Sequence, residues 1–483
     1  MAHRSALGRD GEKMAAPADV VLPVIRSRQF SQEVFTRILT RLPLKDAVRT
    51  SVLSTAWRDL WGRLRPPDDS LEVEYKPANS TVGQLQMLER RKGRHLKRFS
   101  LVIHDVDETS GGLLRRFLEY AVECTAEDLR IGLHSEAAKK NPSFEFPLSC
   151  HLASLTLCRL NLDVPIFGIV QPFSSLVKIQ LHTVSIIDEV LCGVVKLSPR
   201  LRIIELLYCS RLTEIIVPPG LKRNLTRLIV AECDNLRRVV VVPEPDSSLR
   251  CFHYSGGSLS QFHLPCDTSL TELYFCCKSI LTLRHLQVFK EWFRNTLPLL
   301  SNVTVLTICS NTLQIVSSLR RAGANADLAV LDNFQSLTGL RLLVSEYLKA
   351  IDLDNIYVFL KSCHRPNLTK LLVQLPQISD RLFEEDLLGT LQEKEPEVGL
   401  DKLEEAKIMN FNWQWHRYEL QLVIFLLKKV RSTCRLLLVC PRILKFEELG
   451  LKEAELSVIQ AALANGQLVV VQISSNTPAG VRS

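Results

Sequence analysis

The sequence predicts an α/β protein in which a small N-terminal helical unit precedes a curved solenoid of repeated strands with an α/β cap at its C-terminal end. Three observations lead to this prediction. Three short helical patterns follow one another between residues 30 and 61. A leucine-spaced strand pattern then recurs about every 24 residues, and after residue 376 helical patterns alternate with apolar strands.

The helical unit spans Phe30–Trp61. Ser31 suits a helix N-cap, and apolar side chains follow it at helical spacing. Pro43 disfavours helical geometry at the residue before it, so the first helix is expected to end at Leu42. A second helix is predicted over Leu44–Arg49 and a third after it. Three helices this short cannot bury all of their apolar surface among themselves.

Four short stretches of this unit form a distinctive series: Leu42-Pro43-Leu44, Asp46-Ala47-Val48, Ser51-Val52-Leu53-Ser54 and Trp57-Arg58. Through them residues 26–66 resemble an F-box, the three-helix motif that binds the Skp-type adaptor of a cullin-RING ubiquitin ligase. Phe30-Ser31 stands where the family usually has Leu-Pro, and Thr55-Ala56 replaces the usual basic pair. The alternative is a helical hairpin that caps the following domain. The resemblance implies nine adaptor-binding side chains: Phe30, Val34, Ile38, Leu42, Pro43, Leu44, Val48, Leu53 and Trp57.

The composition is ordinary for a soluble globular protein, with 483 residues, 46% hydrophobic residues, 23% charged residues and a net charge of +8. Residues 1–22 lack the apolar core of a signal peptide and are expected to form a disordered leader. The fourteen cysteines include no C-x-x-C pair, so we expect reduced thiols in the cytoplasm or nucleus. The longest apolar run, Leu422–Leu427, is too short to cross a bilayer.

Internal repeats organise residues 67–375. Six copies of the template L-x-x-L-x-L begin 24, 25, 24, 24 and 21 residues apart, which is the range of leucine-rich repeats. The copies are Leu152/Leu155/Leu157, Leu176/Ile179/Leu181, Leu201/Ile204/Leu206, Leu225/Leu228/Val230, Leu249/Phe252/Tyr254 and Leu270/Leu273/Phe275. Further copies begin at Leu96, Ala126, Val303, Leu337 and Leu368. The array resembles the irregular leucine-rich repeats that follow F-boxes in many plant proteins.

The return segments of the middle repeats are expected to be turns and extended chain, because they are short and contain several prolines. Helices are predicted over Leu113–Cys124, Thr282–Leu297 and Asn355–Cys363, where apolar residues recur at helical spacing. An ordinary α/β domain is the alternative. Its parallel strands would need helical crossovers, and the even spacing without helices argues against it.

The block 376–475 changes character, beginning with the acidic stretch Arg381–Lys407, which is expected to be a solvated helix or loop. Strand, helix, strand, helix and strand are then predicted over Leu403–Trp413, Glu419–Val430, Arg435–Pro441, Leu456–Leu463 and Leu468–Ile473. Through Phe411-Asn412, Glu419-Leu420 and the run Val423–Lys428, the block resembles the FBD region that ends many plant F-box/leucine-rich-repeat proteins. We expect it to cover the last strand of the solenoid, followed by a tail at 476–483.

The sequence contains no phosphate-binding glycine loop, metalloprotease motif or nucleophile elbow, so we expect a non-catalytic protein that needs no cofactor. Four residues come nearest to a metal-binding set: Cys251, His253, His263 and Cys266. Zinc prefers closer and better-defined ligand pairs. These four are therefore interpreted as solvent-facing or packing residues, and no metal site is predicted.

The resemblance implies a substrate-recognition subunit of an SCF-type ubiquitin ligase, with a protein target held by the concave strand face. The x positions of the template project from that face, and seven of them are candidates for target binding: Gln180, His182, Glu205, His253, Tyr274, Arg341 and Gln374. One alternative is an interaction scaffold whose divergent F-box no longer engages the ligase. Another is a nucleic-acid-binding solenoid that uses the basic run Arg90–Arg98. Because that run lacks interleaved aromatic residues, a charged helix end and turn entering the first repeat explains it better.

Overall fold

The computed structural model divides the chain into two compact units, Met1–Asp68 and Asp69–Ser483. All of the residues that the structure describes belong to the second unit, so the predicted helical unit at 26–66 lies outside them. The described residues are 70–76, 85, 88, 95–104, 110–134, 149–162, 173–221, 224–241, 247–257, 259–264, 270–277, 287, 301–321, 336–345, 348–362, 367–376, 400–411, 417–440 and 453–472.

The described part of the chain is built on one parallel sheet of fifteen strands. In spatial order, which is also chain order, they are β1 (Ser70–Tyr75), β2 (Arg98–Ile103), β3 (Asp128–Leu133), β4 (Ser154–Cys158), β6 (Lys178–His182), β8 (Ile203–Leu207), β10 (Arg227–Ala231), β12 (Cys251–Gly256), β14 (Glu272–Cys277), β15 (Val305–Cys309), β16 (Gly339–Leu343), β17 (Lys370–Gln374), β18 (Glu405–Met409), β19 (Arg435–Cys440) and β20 (Leu468–Gln472). Since each strand pairs with the next in the chain, the sheet grows by simple addition, as in a curved solenoid. The predicted fold class is confirmed.

The repeat template determines which side chains form the core. Its apolar positions stand in register across the sheet, so that Leu155, Ile179 and Ile204 are Cα partners on successive strands. All eighteen template residues of the six central copies are buried. The five further copies also give strands, namely β2, β3, β15, β16 and β17. Alternation along each strand therefore sends one set of side chains into the core and the other set outward.

A left-handed residue ends many of the strands and turns the chain out of the sheet. Arg159, Thr183, Tyr208, Glu232 and Asn410 each follow a strand directly and have φ between 54° and 59°. Several of them donate their backbone N–H to the next strand, as Thr183 does to the carbonyl of Leu207 at 2.8 Å. These hydrogen bonds hold residues other than glycine in the left-handed backbone conformation, which such residues rarely adopt.

The return segments of the middle repeats are mainly extended, as predicted. Strands β9 (Glu214–Val217), β11 (Arg238–Val241) and β13 (Gln261–His263) form a second parallel sheet, and β5 (Asn161–Leu162) pairs with β7 (Ser185–Ile186). The expectation that no middle repeat holds a helix is wrong in one place. Helix α2 (Asp188–Lys196) fits into the 25-residue repeat because it spans only nine residues.

Hydrogen bonds from short side chains tie neighbouring repeats together. The buried thiol of Cys209 donates to the backbone carbonyl of Leu181 on the preceding repeat at 3.7 Å, and Cys233 donates in the same way to Leu206 at 3.8 Å. Threonines just before several strands donate to the carbonyl of the preceding repeat, as Thr338 does to Thr304 at 3.1 Å. Each bond adds a side-chain link to the main-chain hydrogen bonds between neighbouring repeats.

Three of the helices whose bounds the structure describes occupy longer return segments before residue 376. Helix α1 (Ser110–Glu123) matches the prediction, and its Phe117 packs edge-on against Tyr75 with ring centroids 6.4 Å apart. Helix α3 (Ser310–Arg321) was not predicted, and α4 (Ala350–Ser362) begins five residues before the predicted start at Asn355. The predicted helix Thr282–Leu297 lies outside the described residues except for Gln287, which is helical.

The C-terminal block continues the sheet. Strands β18, β19 and β20 add to β17 in order, with α5 (Arg417–Lys429) and α6 (Glu453–Ala464) in the connections. The block covers the edge of β17, as expected, but it does so by adding strands. The side chains predicted to face inward on α5 are buried, namely Leu422, Val423, Leu426 and Leu427. None of the described helices is long and apolar enough to cross a membrane.

Candidate functional site

The outward face of the large sheet presents side chains in three parallel rows. The central row crosses all fifteen strands and comprises Glu72, Ser100, Arg130, Thr156, Gln180, Glu205, Ile229, His253, Tyr274, Thr307, Arg341, Leu372, Lys407, Leu437 and Val469. The leading row lies two residues earlier on each strand, and the trailing row lies two residues later. The central row brings residues that are 21 to 35 positions apart in the chain side by side.

The structure places all seven predicted target-binding residues on this outward face, and none of them is fully buried. The central row holds Gln180, Glu205, His253, Tyr274 and Arg341. The trailing row holds the other two, His182 and Gln374. The template rule therefore located the face correctly, and whether these residues bind a target stays a prediction.

A hydrogen-bonded line joins three neighbouring strands in the central row. The Thr156 hydroxyl donates to Oε1 of Gln180 at 3.1 Å, and the amide nitrogen of Gln180 donates to the carboxylate of Glu205. The three side chains hold one another in place, so they present a fixed set of polar atoms. Thr156 was missed as a candidate, although it occupies the same template position as Gln180.

His182 on the trailing row lies in a small cluster at the end of β6. Its Nδ1 is 3.4 Å from the thiol sulfur of Cys158, and its ring meets the Tyr208 ring edge-on at 5.6 Å. Burial lowers the pKa of His182, and the positive charge of Arg159 lowers it further. The imidazole is therefore neutral at neutral pH. Tyr208, beside it, is 49% exposed and so is accessible from solvent.

A second cluster combines a thiol, an imidazole and a carboxylate. Cys251 and His253 lie two residues apart on β12, and Glu272 on β14 is the Cα partner of Cys251. The sulfur of Cys251 is 3.5 Å from Oε2 of Glu272, and Nε2 of His253 is 3.3 Å from Oε1. The His253 ring stacks against Tyr274 at 5.2 Å.

Burial dominates the electrostatics of this second cluster. It raises the pKa of Cys251 to about 12, with help from the Glu272 carboxylate. It lowers the pKa of His253, although Glu272 opposes that shift. In the protein as it stands, the thiol is protonated and the imidazole is neutral at neutral pH.

The four residues considered from the sequence as a metal set do not come together. His263 lies on β13 in the second sheet and is exposed, while Cys266 lies outside the described residues. The carboxylate of Glu272 stands beside Cys251 and His253 instead. The signal that locates it is the repeat register, since Cys251 and Glu272 occupy the same position in successive copies of the template.

The described part of the basic run Arg90–Arg98 engages acidic groups on the same sheet. Arg98 begins β2 and its Nε donates to Asp128 at 2.7 Å, while His95 lies 3.2 Å from Glu127. This is the arrangement expected of a charged turn that enters the first repeats. Residues 90–94 lie outside the described part of the chain.

The predicted adaptor-binding residues, from Phe30 to Trp57, all lie outside the described residues. Comparison with protein families bears on this segment directly. Residues 29–68 match the F-box domain family, and residues 87–455, more than half of the chain, match the At1g61320/AtMIF1 leucine-rich-repeat domain family. The chain belongs to the plant F-box/leucine-rich-repeat proteins. The repeat match runs into the C-terminal block, in keeping with the continuous sheet.

Curated relatives of this F-box/leucine-rich-repeat chain come from Arabidopsis thaliana. F-box/LRR-repeat protein At5g02910 is 26% identical over 59% of this chain, and the match spans 60% of the relative's own length. The FBD-associated F-box protein At5g53635 is 24% identical over 78% of this chain and 86% of its own length. F-box/FBD/LRR-repeat protein At1g13570 is 29% identical over 39% of this chain and 46% of its own length. These names agree with the FBD-like character of the C-terminal block.

Proposed function

We propose that this protein is the substrate receptor of an SCF-type ubiquitin ligase. Its F-box docks on a Skp-type adaptor, and the outward face of the sheet holds the protein to be ubiquitinated. The observation that carries the proposal is the match of residues 29–68 to the F-box family in a chain that continues as a long repeat sheet. F-box/leucine-rich-repeat proteins typically serve as non-catalytic adaptor subunits of such ligases.

The chemistry required of such a receptor is positioning. A target held on the sheet keeps its lysines near a ubiquitin-charged conjugating enzyme, which raises their effective concentration. The receptor therefore needs a specific surface and supplies no nucleophile, acid or base of its own.

The outward face has the properties that a protein-binding surface needs. Gln180 and Glu205 are ordered by their neighbours, so they lose little further freedom on binding. Tyr274 and Arg341 belong to the residue types that most often dominate protein interfaces. The central row ends in Leu437 and Val469, which add an apolar stretch beside the polar one.

The adaptor contact is tested by retention of the full chain on immobilised Skp-type adaptor. The wild-type chain should be retained, and a Leu42→Asp, Pro43→Ala variant should be lost, because a carboxylate replaces an apolar contact. Arg238→Ala, which changes the second sheet, is the control and should be retained like the wild type. Equal retention of the wild-type chain and the Leu42→Asp, Pro43→Ala variant would overturn the proposed docking.

A non-ligase scaffold is the second candidate, and specific residues favour it. Phe30-Ser31 and Thr55-Ala56 depart from the usual F-box pattern at both ends of the motif. The scaffold hypothesis predicts that the wild-type chain itself fails to bind the adaptor. The same retention experiment therefore decides between the two functions.

Target binding is tested by affinity capture of the chain with ligase activity blocked, followed by identification of the proteins that co-purify. A Tyr274→Ala, Arg341→Ala variant should lose the captured target while it keeps the adaptor, since both side chains lie on the outward face. Arg238→Ala should keep both partners. Loss of the target only in Arg238→Ala would place the binding surface on the second sheet instead.

A further inference from the structure

Among the described residues, Cys251, His253 and Glu272 form a cluster of three side chains that could bind a metal ion. One ligand atom from each of the three residues lies within 4.8 Å of the other two. The sheet register produces this arrangement, because β12 supplies two side chains on one face and β14 supplies the third beside them. The three donors come from rigid, hydrogen-bonded strands, which suits a preformed site.

Two of the separations between donor atoms are close to those of zinc ligands. Bonds of about 2.0 to 2.3 Å that meet at tetrahedral angles place donor atoms roughly 3.3 to 3.6 Å apart. Oε2 of Glu272 lies 3.5 Å from the sulfur of Cys251, and the other carboxylate oxygen, Oε1, lies 3.3 Å from Nε2 of His253. That Nε2 is buried, and it has no hydrogen-bond partner of acceptable geometry. A buried polar atom in this state needs a further partner, and a cation between it and the carboxylate would provide one.

We propose that Cys251, His253 and Glu272 bind one zinc ion. The donor set combines thiolate, imidazole and carboxylate, which zinc accepts together and which magnesium and calcium do not. Zinc binding displaces the proton of the Cys251 thiol to solvent. The ion with one thiolate and one carboxylate is then electrically neutral, as a partly buried site requires. Three protein ligands leave a fourth position open toward the outward face, for water or for a donor group of a bound protein.

Neighbouring side chains set the limits of this site. The Tyr274 ring covers one side of His253, and Ile229 is the Cα partner of His253 on the other side. Arg227 is the Cα partner of Cys251 on β10, and its positive charge lowers the pKa of both Cys251 and His253, so it also repels a cation held by these two side chains. Replacing Arg227 with alanine should therefore increase the affinity for zinc.

The test uses the tag-free full chain, kept reduced, stripped with a chelator and titrated with zinc ions alone. Bound zinc is counted by mass spectrometry, and its affinity is measured by competition with a chromophoric chelator. At equal zinc concentration the wild type should hold one zinc ion more than Glu272→Gln. The zinc affinity of that variant should be lower than that of the wild type by about 10-fold to 100-fold. His263→Ala removes an exposed histidine of the second sheet and should bind zinc like the wild type.

Cobalt ions identify the sulfur ligand directly. The wild type with cobalt should show a sulfur-to-cobalt charge-transfer band in the near ultraviolet, and Cys251→Ser should lose it. Circular dichroism shows whether each variant is folded, and if Cys251→Ser is not, the partly exposed Glu272→Gln decides on its own. Equal zinc uptake by the wild type and Glu272→Gln would mean an adventitious ion only. That result would leave the cluster as three neighbouring polar side chains without a metal and overturn the proposal.

Discussion

At the scale of single residues, the imidazole of His182 shows how the outward face controls charge. Its ring lies between the Cys158 thiol at 3.4 Å and the Tyr208 ring at 5.6 Å, and the charge of Arg159 is close by. Burial and that positive charge lower its pKa below 6.5. Protonation of His182 in the folded state is therefore less favourable than in the unfolded chain.

This shift makes a prediction about stability and pH. Well above pH 6.5 the imidazole is neutral in both states and has no effect on stability. As the pH falls below that value, the unfolded chain takes up the proton first, so the protein loses stability. His182→Asn should therefore lose less stability than the wild type between pH 7.5 and pH 5.5, measured by thermal unfolding. His151→Asn, at an exposed position, is the control, and identical pH dependence in the wild type and His182→Asn would contradict the prediction.

The positions of single side chains on the outward face could be predicted from the sequence only in part. The template placed His253 and Tyr274 on the outward face, because alternation along a strand follows from the sequence alone. It did not bring Glu272 to His253, because the two lie 19 positions apart in the chain and meet only through the pairing of β12 with β14. The left-handed conformations of Thr183 and Tyr208 have no sequence signal, because neither residue type favours positive φ. Hydrogen bonds to the next strand impose them.

At the scale of elements, helix α2 shows how one side chain can join two repeats. Ile187 before the helix makes no side-chain cap, and the first-turn residue Asp188 points to the next repeat instead. Its carboxylate accepts hydrogen bonds from the backbone N–H of Thr213 at 2.8 Å and of Glu214 at 3.1 Å, and from the Thr213 hydroxyl. The charge of Asp188 thus fixes the start of strand β9.

We expect Asp188→Ala to destabilise the protein by about 1–2 kcal/mol, since it leaves two backbone donors without their charged acceptor. The amide protons of Thr213 and Glu214 should also exchange faster with solvent, which locates the loss. Glu189→Ala changes an exposed carboxylate on the same helical turn and should have little effect. Equal urea midpoints for the wild type and Asp188→Ala would contradict this role.

Helices were harder to predict than strands, for a physical reason. The strand template requires only three apolar positions, and every copy named from the sequence gave a strand. Helix α2 has nine residues, which is too short for helical periodicity to stand out from the surrounding repeat. Helix α4 begins at Ala350, and residues 351–354 alternate apolar and acidic side chains, a spacing that favours a strand over a helix.

At the scale of the whole molecule, the described sheet continues without interruption past residue 375. Strand β18 pairs with β17 over five residue pairs, and β19 and β20 follow. Helices pack together across the same point, because the buried rings of Tyr357 on α4 and Phe425 on α5 lie 4.9 Å apart. The strands and helices predicted for this block are all present, in the predicted order. The sequence could not show that they extend the sheet, because acidic residues between 381 and 399 interrupt the repeat pattern.

Continuity of the sheet makes a prediction about truncation. A chain that ends after Leu375 leaves the backbone groups of β17 unpaired and exposes Tyr357, so it should unfold at a lower urea concentration and aggregate more readily. A chain that ends after Gln472 keeps all fifteen described strands and should behave like the full-length protein. Urea unfolding and light scattering measure both effects. If the chain ending after Leu375 were as stable as the full chain, the last three strands would form a separate domain, and the sheet would not be one cooperative unit.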